Sequence, residues 1–206
     1  MNRSRSRKVT KHAVNRSRAV SVPAAGTALL LIDVINDLDF EGSEVLVAQA
    51  EPMALRLAAL KRRATAAGVP SIYINDNFGR WRSDFRQTIA HCTARSSPGR
   101  LVSQRLRPTA RDYFVLKPKH SAFYDTTLDT LLESLGIRRV ILTGIAGNIC
   151  VLFTANDAYM RDFKVFAAAD NDYALQQIAL VMKGSVAPSQ ELLFRNSRRS
   201  RNGKKT

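Results

Sequence analysis

Short apolar runs alternate with longer amphipathic segments along this chain. The runs are continuous rather than alternating, which is typical of strands buried on both faces of a parallel sheet, and they cover residues 27–33, 69–75, 113–117, 139–143 and 164–168. Between them, helical spacing of apolar residues predicts helices over residues 43–67, 82–94, 101–106, 128–135, 148–161 and 172–182. Pro52 predicts a kink or a fresh start within the first helix.

This order of elements predicts an α/β fold. Strands that alternate with helices favour a mostly parallel, Rossmann-like sheet with helices on both faces and right-handed crossovers. The 206 residues are enough for one domain with tails. We therefore expect a domain over residues 26–183, flanked by tails over residues 1–25 and 184–206.

The net charge of +15 is concentrated near the ends of the chain. Residues 1–25 contain seven basic and no acidic residues, and residues 183–206 contain seven basic residues and one acidic residue. These segments lack apolar periodicity, so we predict disordered, solvated tails. The alternative is a weak, non-specific and salt-dependent association with nucleic acid.

The cysteines and the apolar runs bear on the location of the protein. The chain has only two cysteines, Cys92 and Cys150, and no secretion signal. We therefore expect a cytoplasmic, reducing setting without disulfides. No apolar run approaches the length of a membrane span, so no membrane partner is expected.

Three residues with complementary chemistry follow three of the predicted strands. Asp33 and Lys117 end their strands, and Cys150 falls in the first turn of the helix after strand 139–143. A parallel sheet gathers the carboxyl ends of its strands at one edge, where ligands bind. A carboxylate can accept a thiol proton, and a nearby ammonium or helix N-terminus lowers a thiol pKa. The alternative is a surface charge for each ionic residue and a small buried hydrophobe for the cysteine.

Three ordered motifs carry a resemblance to a known family. They are Leu-Leu-Ile-Asp33-x-x-Asn-Asp, then Lys117-x-x-x-Ser-Ala-Phe, then Gly144-Ile-Ala-Gly-Asn-Ile-Cys150-Val-x-x-Thr-Ala-x-Asp-Ala. Together they resemble the isochorismatase-like cysteine hydrolase superfamily, in a subgroup with Asp-Val-Ile-Asn-Asp and Asp-Asn-Phe-Gly-Arg-Trp motifs. The resemblance covers residues 27 to about 170 and implies a three-layer α/β/α sandwich.

The resemblance also implies a catalytic triad of Asp33 as base, Lys117 as the cation that lowers the thiol pKa, and Cys150 as nucleophile. It implies a cis peptide between Ile145 and Ala146, and an oxyanion hole formed by the backbone N–H groups of Ala146 and Cys150. The implied reaction is hydrolysis of a small amide or related C–N bond through a thioester. The alternatives are vinyl-ether hydrolysis of the isochorismatase type, and a degenerate hydrolase fold used for binding.

Departures from the family pattern narrow the expected metal content and substrate. Ile35 stands where many members have glutamine, and residues 167–173 form a shorter connection than usual. Asp76-Asn77-Phe78 replaces the Asp-x-His of the metal site of nicotinamidases, so we expect no metal, no cofactor and a substrate other than nicotinamide. The resemblance implies a small-molecule substrate and a homo-oligomer.

Four residues near the predicted strand ends are candidates for binding the substrate. Their positions predict a lining for a small, flat, polar molecule, and they are Asn77, Phe78, Trp81 and Phe123. Core packing is the alternative for each aromatic residue.

Overall fold

The computed structural model describes residues 19–41, 43–77, 84–168 and 185–196. Its strands are β1 (Val20–Pro23), β2 (Thr27–Ile32), β3 (Ser71–Asp76), β4 (Tyr113–Lys117), β5 (Arg139–Gly144), β6 (Lys164–Ala168), β7 (Ser185–Ala187) and β8 (Leu192–Arg195). Its α-helices are α1 (Ser43–Ala66), α2 (Phe85–Cys92), α3 (Arg100–Arg105), α4 (Leu128–Ser134) and α5 (Leu152–Met160). A π-helical turn over Gly147–Val151 leads into α5, and a 3-10 turn over Ser189–Glu191 precedes β8.

Six strands form one sheet in the order β4-β3-β2-β5-β6-β7, and each described pair is parallel. All six residues of β2 are buried, as its continuous apolar sequence predicts for a central strand. The predicted α/β class with a mostly parallel sheet is confirmed. The predicted helix over residues 172–182 lies outside the described residues.

Apolar side chains cover both faces of the sheet. Alternate residues of β2 point to opposite faces, so Leu29 and Leu31 belong to one core cluster and Leu30 and Ile32 to the other. Buried residues of α1, α2 and α3 complete the first cluster, and those of α4 and α5 complete the second. The sheet is therefore held between two layers of helices, and its strand ends are fixed relative to one another.

The helix α1 passes through Pro52 as a single helix. The sequence analysis expected a kink or a fresh start at this residue. The helix remains continuous over 24 residues because its apolar face, including Ala50, Ala54, Leu57 and Leu60, packs against the sheet.

The expected disordered tails over residues 1–25 and 184–206 are corrected where the structure describes them. Strand β1 pairs in parallel with β8, with Val20 opposite Leu192 and Val22 opposite Phe194. Val22 and Leu192 have no exposed surface, and β7 extends the main sheet beside β6. These short apolar segments become strands only by pairing with distant segments. The sequence pattern did not predict them, because basic residues dominate the composition around them. Strand β1 thus lies before residue 26, and strands β7 and β8 lie after residue 183.

Gly144 ends β5 at the point where the backbone of β2 comes closest. Its φ is +128°, and a Cβ added there would lie 1.9 Å from the carbonyl oxygen of Ile32. That oxygen also accepts a hydrogen bond from the Ile145 N–H at 3.0 Å. Only glycine fits here without displacing the residue that precedes Asp33.

We expect Gly144→Ala to lower the free energy of unfolding by about 3 kcal/mol, through backbone overlap and a φ that alanine disfavours. Urea denaturation measures the change. Gly68→Ala is the matched control, since Gly68 also has a positive φ but an added Cβ would meet nothing within 4 Å. The control should cost about 1 kcal/mol. Equal losses in the two variants would show that the contact with Ile32 is unimportant.

Candidate active site

The three candidate catalytic residues converge at the carboxyl edge of the sheet. Asp33 directly follows β2, Lys117 is the last residue of β4, and Cys150 lies in the π-helical turn after β5. In the sheet, β3 lies between β4 and β2, and β5 lies on the other side of β2. The three side chains extend over the carboxyl ends of these neighbouring strands and meet there.

Lys117 connects the other two residues. Its Nζ lies 2.8 Å from Asp33 Oδ2 and donates a hydrogen bond of 3.6 Å to Cys150 Sγ. The lysine has no exposed surface, whereas the Asp33 side chain is 8% exposed and Cys150 is partly exposed. A buried ammonium needs a paired anion, and Asp33 supplies it.

Asp33 is held by the neighbouring strand. Its Oδ1 accepts a hydrogen bond of 2.8 Å from the Asp76 N–H, and its own N–H donates to the Ile74 carbonyl oxygen at 2.8 Å. Its φ is +50°, in the left-handed region that aspartate tolerates better than most residues. Both carboxylate oxygens are therefore engaged, one by Lys117 and one by β3.

The pKa values of the three groups reflect burial opposed by charge. Burial raises the pKa of Asp33 above its ordinary value, although Lys117 and the Asp76 N–H counteract it. Burial lowers the pKa of Lys117, but Asp33, Cys150 and Asp76 together raise it above its ordinary value. Each of these two groups favours the charged form of the other, and their contact of 2.8 Å forms a buried ion pair.

The pKa of the Cys150 thiol differs from the expectation. Burial, and then the Asp33 carboxylate, raise the pKa of Cys150 to about 11, although Lys117 lowers it. The sequence analysis expected a lowered thiol pKa, because it placed a cation and a helix N-terminus beside the sulfur. In the structure the cation is already paired with Asp33, so the thiol stays protonated at neutral pH and its proton has a carboxylate nearby.

The peptide between Ile145 and Ala146 is cis, as the resemblance implies. It precedes the π-helical turn, in which the Ala146 carbonyl oxygen accepts hydrogen bonds from the N–H groups of Ile149 and Val151, both at 3.2 Å. The assignment of the Ala146 and Cys150 N–H groups to an oxyanion hole stays a prediction.

The structure describes two of the four candidate substrate-binding residues. Asn77 is buried, and its N–H donates to the Lys117 carbonyl oxygen at 3.0 Å, so it adjoins the site. Phe123 is buried in the core with α4 and α5, and its ring contacts the Phe163 ring at 5.9 Å between centroids. Phe123 therefore packs in the core, and its contact with a substrate stays a prediction. Phe78 and Trp81 lie outside the described residues.

Two further residues reach the site that the sequence analysis did not assign to it. Asp76 Oδ2 lies 3.8 Å from Lys117 Nζ, and His120 Nδ1 lies 3.9 Å from Cys150 Sγ. Asp76 ends β3 and gives the same strand-end signal as Asp33. His120 lies in a loop after β4, and nothing in the spacing of the sequence places a loop residue beside a particular atom.

Within the described ranges, the His, Cys, Asp and Glu side chains form no group of three or more arranged to hold a metal ion. Among the helices that the structure describes, none combines the length and the apolar composition needed to cross a membrane.

We expect Lys117→Met to lower the free energy of unfolding at pH 8 by about 3 kcal/mol, because it leaves the buried Asp33 carboxylate without its partner. The variant also removes the charge that lowers the Asp33 pKa, so that pKa rises further. A raised folded pKa gives stability at low pH that is lost as pH rises. The deficit should therefore be smaller at pH 5 than at pH 8.

Urea denaturation at both pH values measures this effect. Lys119→Met, the same substitution at an exposed position two residues away, should change stability by less than about 0.5 kcal/mol. A Lys117→Met deficit that does not vary with pH would argue against the ion pair as its source.

Comparison with known proteins agrees with this geometry. The chain belongs to the isochorismatase family, because the model of the isochorismatase domain matches residues 27–177. It is therefore a hydrolase of that family.

Two proteins are similar to this chain in sequence, and one solved structure is similar to it in fold. YaaI of Bacillus subtilis (strain 168), an uncharacterized isochorismatase family protein, is 39% identical over 178 residues, which cover 82% of this chain and 97% of the relative. The ureidoacrylate amidohydrolase RutB of Acinetobacter baylyi is 28% identical over 75% of this chain and 74% of its own length. The N-carbamoylsarcosine amidase of Thermoplasma acidophilum has a similar fold, with a TM-score of 0.60, 24% identity, and coverage of 79% and 96% of the two chains.

Proposed function

We propose that this hydrolase cleaves the C–N bond of a small amide or ureido compound through a thioester on Cys150. The observation that carries the proposal is the contact of one buried lysine with both a carboxylate and a thiol. Lys117 Nζ is 2.8 Å from Asp33 Oδ2 and 3.6 Å from Cys150 Sγ. A nucleophile, a base and a group that orients them are the parts that covalent amide hydrolysis requires.

The first step is attack by the thiol. Because the pKa of Cys150 is raised to about 11, the sulfur loses its proton as it attacks rather than beforehand. Asp33 takes this proton, the Sγ–C bond forms, and the carbonyl oxygen gains the negative charge. Lys117 stays protonated, since the surrounding carboxylates raise its pKa, and it holds Asp33 and the sulfur together.

The negative oxygen of the tetrahedral adduct needs donors. We assign them to the backbone N–H groups of Ala146, which directly precedes the turn that carries the nucleophile, and of Cys150 within that turn. Donors fixed in advance at a developing oxyanion often contribute the largest part of catalysis.

The adduct then loses its leaving group. Asp33 returns its proton to the nitrogen, the C–N bond breaks, and ammonia or an amine departs. Water attacks the remaining thioester, which is a thiocarbamate where the substrate is a ureido compound, the C–S bond breaks, and the free thiol and the acid product result. Besides the backbone donors, these steps use side chains and water, and each proton taken is returned.

The substrate class rests on the relatives. RutB is a ureidoacrylate amidohydrolase, and the structural neighbour is an N-carbamoylsarcosine amidase. Both names refer to compounds with a carbamoyl group bound to nitrogen, and this group is small, flat and polar. We propose an N-carbamoyl compound or a simple carboxamide as the substrate of this chain.

The cellular setting is also a proposal. Both cysteines are free thiols, which supports a reducing, cytoplasmic setting in which Cys150 stays available. Self-association stays a prediction.

The proposal is tested by incubating the full chain with a panel of N-carbamoyl compounds and carboxamides, including ureidoacrylate and N-carbamoylsarcosine. Ammonia release reports turnover, and mass spectrometry after an acid quench reports an acyl group on Cys150. We expect at least one compound to give both signals. The absence of any covalent adduct across the panel would contradict the proposal.

A further inference from the structure

His120 is an exposed residue that lies beside the sulfur of Cys150. Its Nδ1 is 3.9 Å from Cys150 Sγ, and its side chain is exposed. The imidazole ring also contacts the ring of Phe153, with the centroids 5.6 Å apart. Cys150 and Phe153 are three residues apart and share one face of the helical segment, so the imidazole lies across that face and touches both.

The loop that carries His120 is attached to the same helical segment. The Ala122 N–H donates to Thr154 Oγ1 at 3.0 Å, and this hydroxyl donates to the Cys150 carbonyl oxygen at 2.7 Å. Ser121 Oγ, in turn, donates a hydrogen bond to Asp157. Thr154 has no exposed surface and joins the loop directly to the residue that bears the thiol. The position of His120 relative to the sulfur is thus set by the fold.

Two groups that can accept a proton therefore lie near the thiol, in different surroundings. The Asp33 side chain is 8% exposed and paired with the buried Lys117, whereas His120 is exposed. Water that hydrolyses a thioester comes from solvent, so it meets the exposed imidazole more readily than the buried carboxylate.

We propose that His120 is a catalytic residue that acts as general base for the water in thioester hydrolysis. This inference rests on the proposed function, since it needs an acyl group on Cys150. It assigns the two half-reactions to different groups, with Asp33 serving thioester formation and His120 serving thioester hydrolysis.

The proton passes from water to His120 and then to the sulfur of Cys150. Nδ1 accepts a proton from water in the tautomer that carries its proton on Nε2, while the water oxygen bonds to the thioester carbon. The tetrahedral adduct breaks its C–S bond and releases the acid product. The departing thiolate then takes the proton from Nδ1, which restores both groups.

The test is His120→Gln in the full chain, with the panel compound that the wild type hydrolyses fastest. Glutamine keeps a polar side chain but accepts no proton at neutral pH. We expect the rate of the first turnover to change by less than threefold, while steady-state turnover falls about 100-fold. Ammonia should therefore appear in a burst, and the acyl form of Cys150 should accumulate in the mass spectrum.

Rescue by hydroxylamine provides a second readout, and it is not expected if His120 has only a structural role. Hydroxylamine attacks thioesters without needing a general base, so it should restore most of the lost turnover of His120→Gln and yield a hydroxamate. His91→Gln is the matched control, because His91 is also exposed but binds Asp37 at 2.8 Å. The control should resemble the wild type.

Each outcome separates the two proposals. Unchanged steady-state turnover in His120→Gln, or a loss without an accumulated acyl form, overturns the role of His120 and leaves the thioester mechanism intact. If the wild type itself forms no adduct with any panel compound, the proposed function fails and this inference fails with it.

Discussion

Cys150→Ala is expected to lower kcat/KM for ammonia release by about 10³-fold or more, because it removes the only atom that forms the covalent intermediate. Turnover of the panel compound with the highest wild-type rate provides the measurement. Thermal unfolding of the variant should stay close to that of the wild type, since Cys150 is partly exposed and alanine is compatible with its helical turn.

Cys92→Ala is the control for this experiment. Cys92 is completely buried in the core, and burial, then Asp37, raise its pKa to about 12, so it has no role at the site. Its turnover should lie within twofold of the wild-type value. Substantial ammonia release by Cys150→Ala would instead show that the C–N bond is cleaved without a thioester on Cys150.

Asp33→Asn is expected to have two opposite effects. Ammonia release should fall about 10³-fold, because asparagine cannot accept the thiol proton. Alkylation of Cys150 by iodoacetamide at pH 8 should become at least tenfold faster. After burial, the Asp33 carboxylate is the largest cause of the raised pKa of Cys150, and Lys117 is the cause that lowers it. Removal of the carboxylate leaves Lys117 to stabilise the thiolate.

The alkylation rates are measured between pH 6 and pH 10 in a Cys92→Ala background. The wild-type rate should rise about tenfold per pH unit over the whole range, because its thiol pKa of about 11 lies above it. The rate for Asp33→Asn should level off within the range. Asp37→Asn, which alters a partly buried carboxylate paired with His91, should follow the wild type. A rate for Asp33→Asn at or below that of the wild type would contradict the assigned electrostatics.

Turnover and alkylation of Asp33→Asn separate the reactivity of the thiol from catalysis. If a residue only activated the thiol by its charge, its replacement would lower the turnover rate and the alkylation rate together. In the proposed mechanism Asp33 instead raises the pKa of Cys150 in the resting enzyme and accepts its proton during the reaction. We therefore expect the thiol to stay protonated until a substrate carbon is in place.

The elements that were predicted well are those with a local signal. The strands Tyr113–Lys117 and Lys164–Ala168 have the predicted bounds, because each is a short apolar run between clear breaks. The convergence of Asp33, Lys117 and Cys150 also followed from the sequence, because parallel strands place their carboxyl ends at one edge.

The elements that were missed depend on distant partners. The strands β1 and β8 are four residues each, lie among basic residues, and bury their apolar side chains only when they pair with each other. The same holds for His120, whose approach to the sulfur depends on the anchoring of its loop by Thr154. Contacts of this kind leave no periodic trace in the sequence.

The sequence by itself determined the α/β class, the order of the main strands, the family motifs and the three residues of the site. It did so because apolar periodicity and strand-end position are local properties of the chain. Only the tertiary structure decided the charge balance of the site, since the pKa of Cys150 depends on burial and on its distances to Asp33 and Lys117, which follow or end other strands. It also placed the sulfur within reach of both the buried Lys117 and the exposed His120.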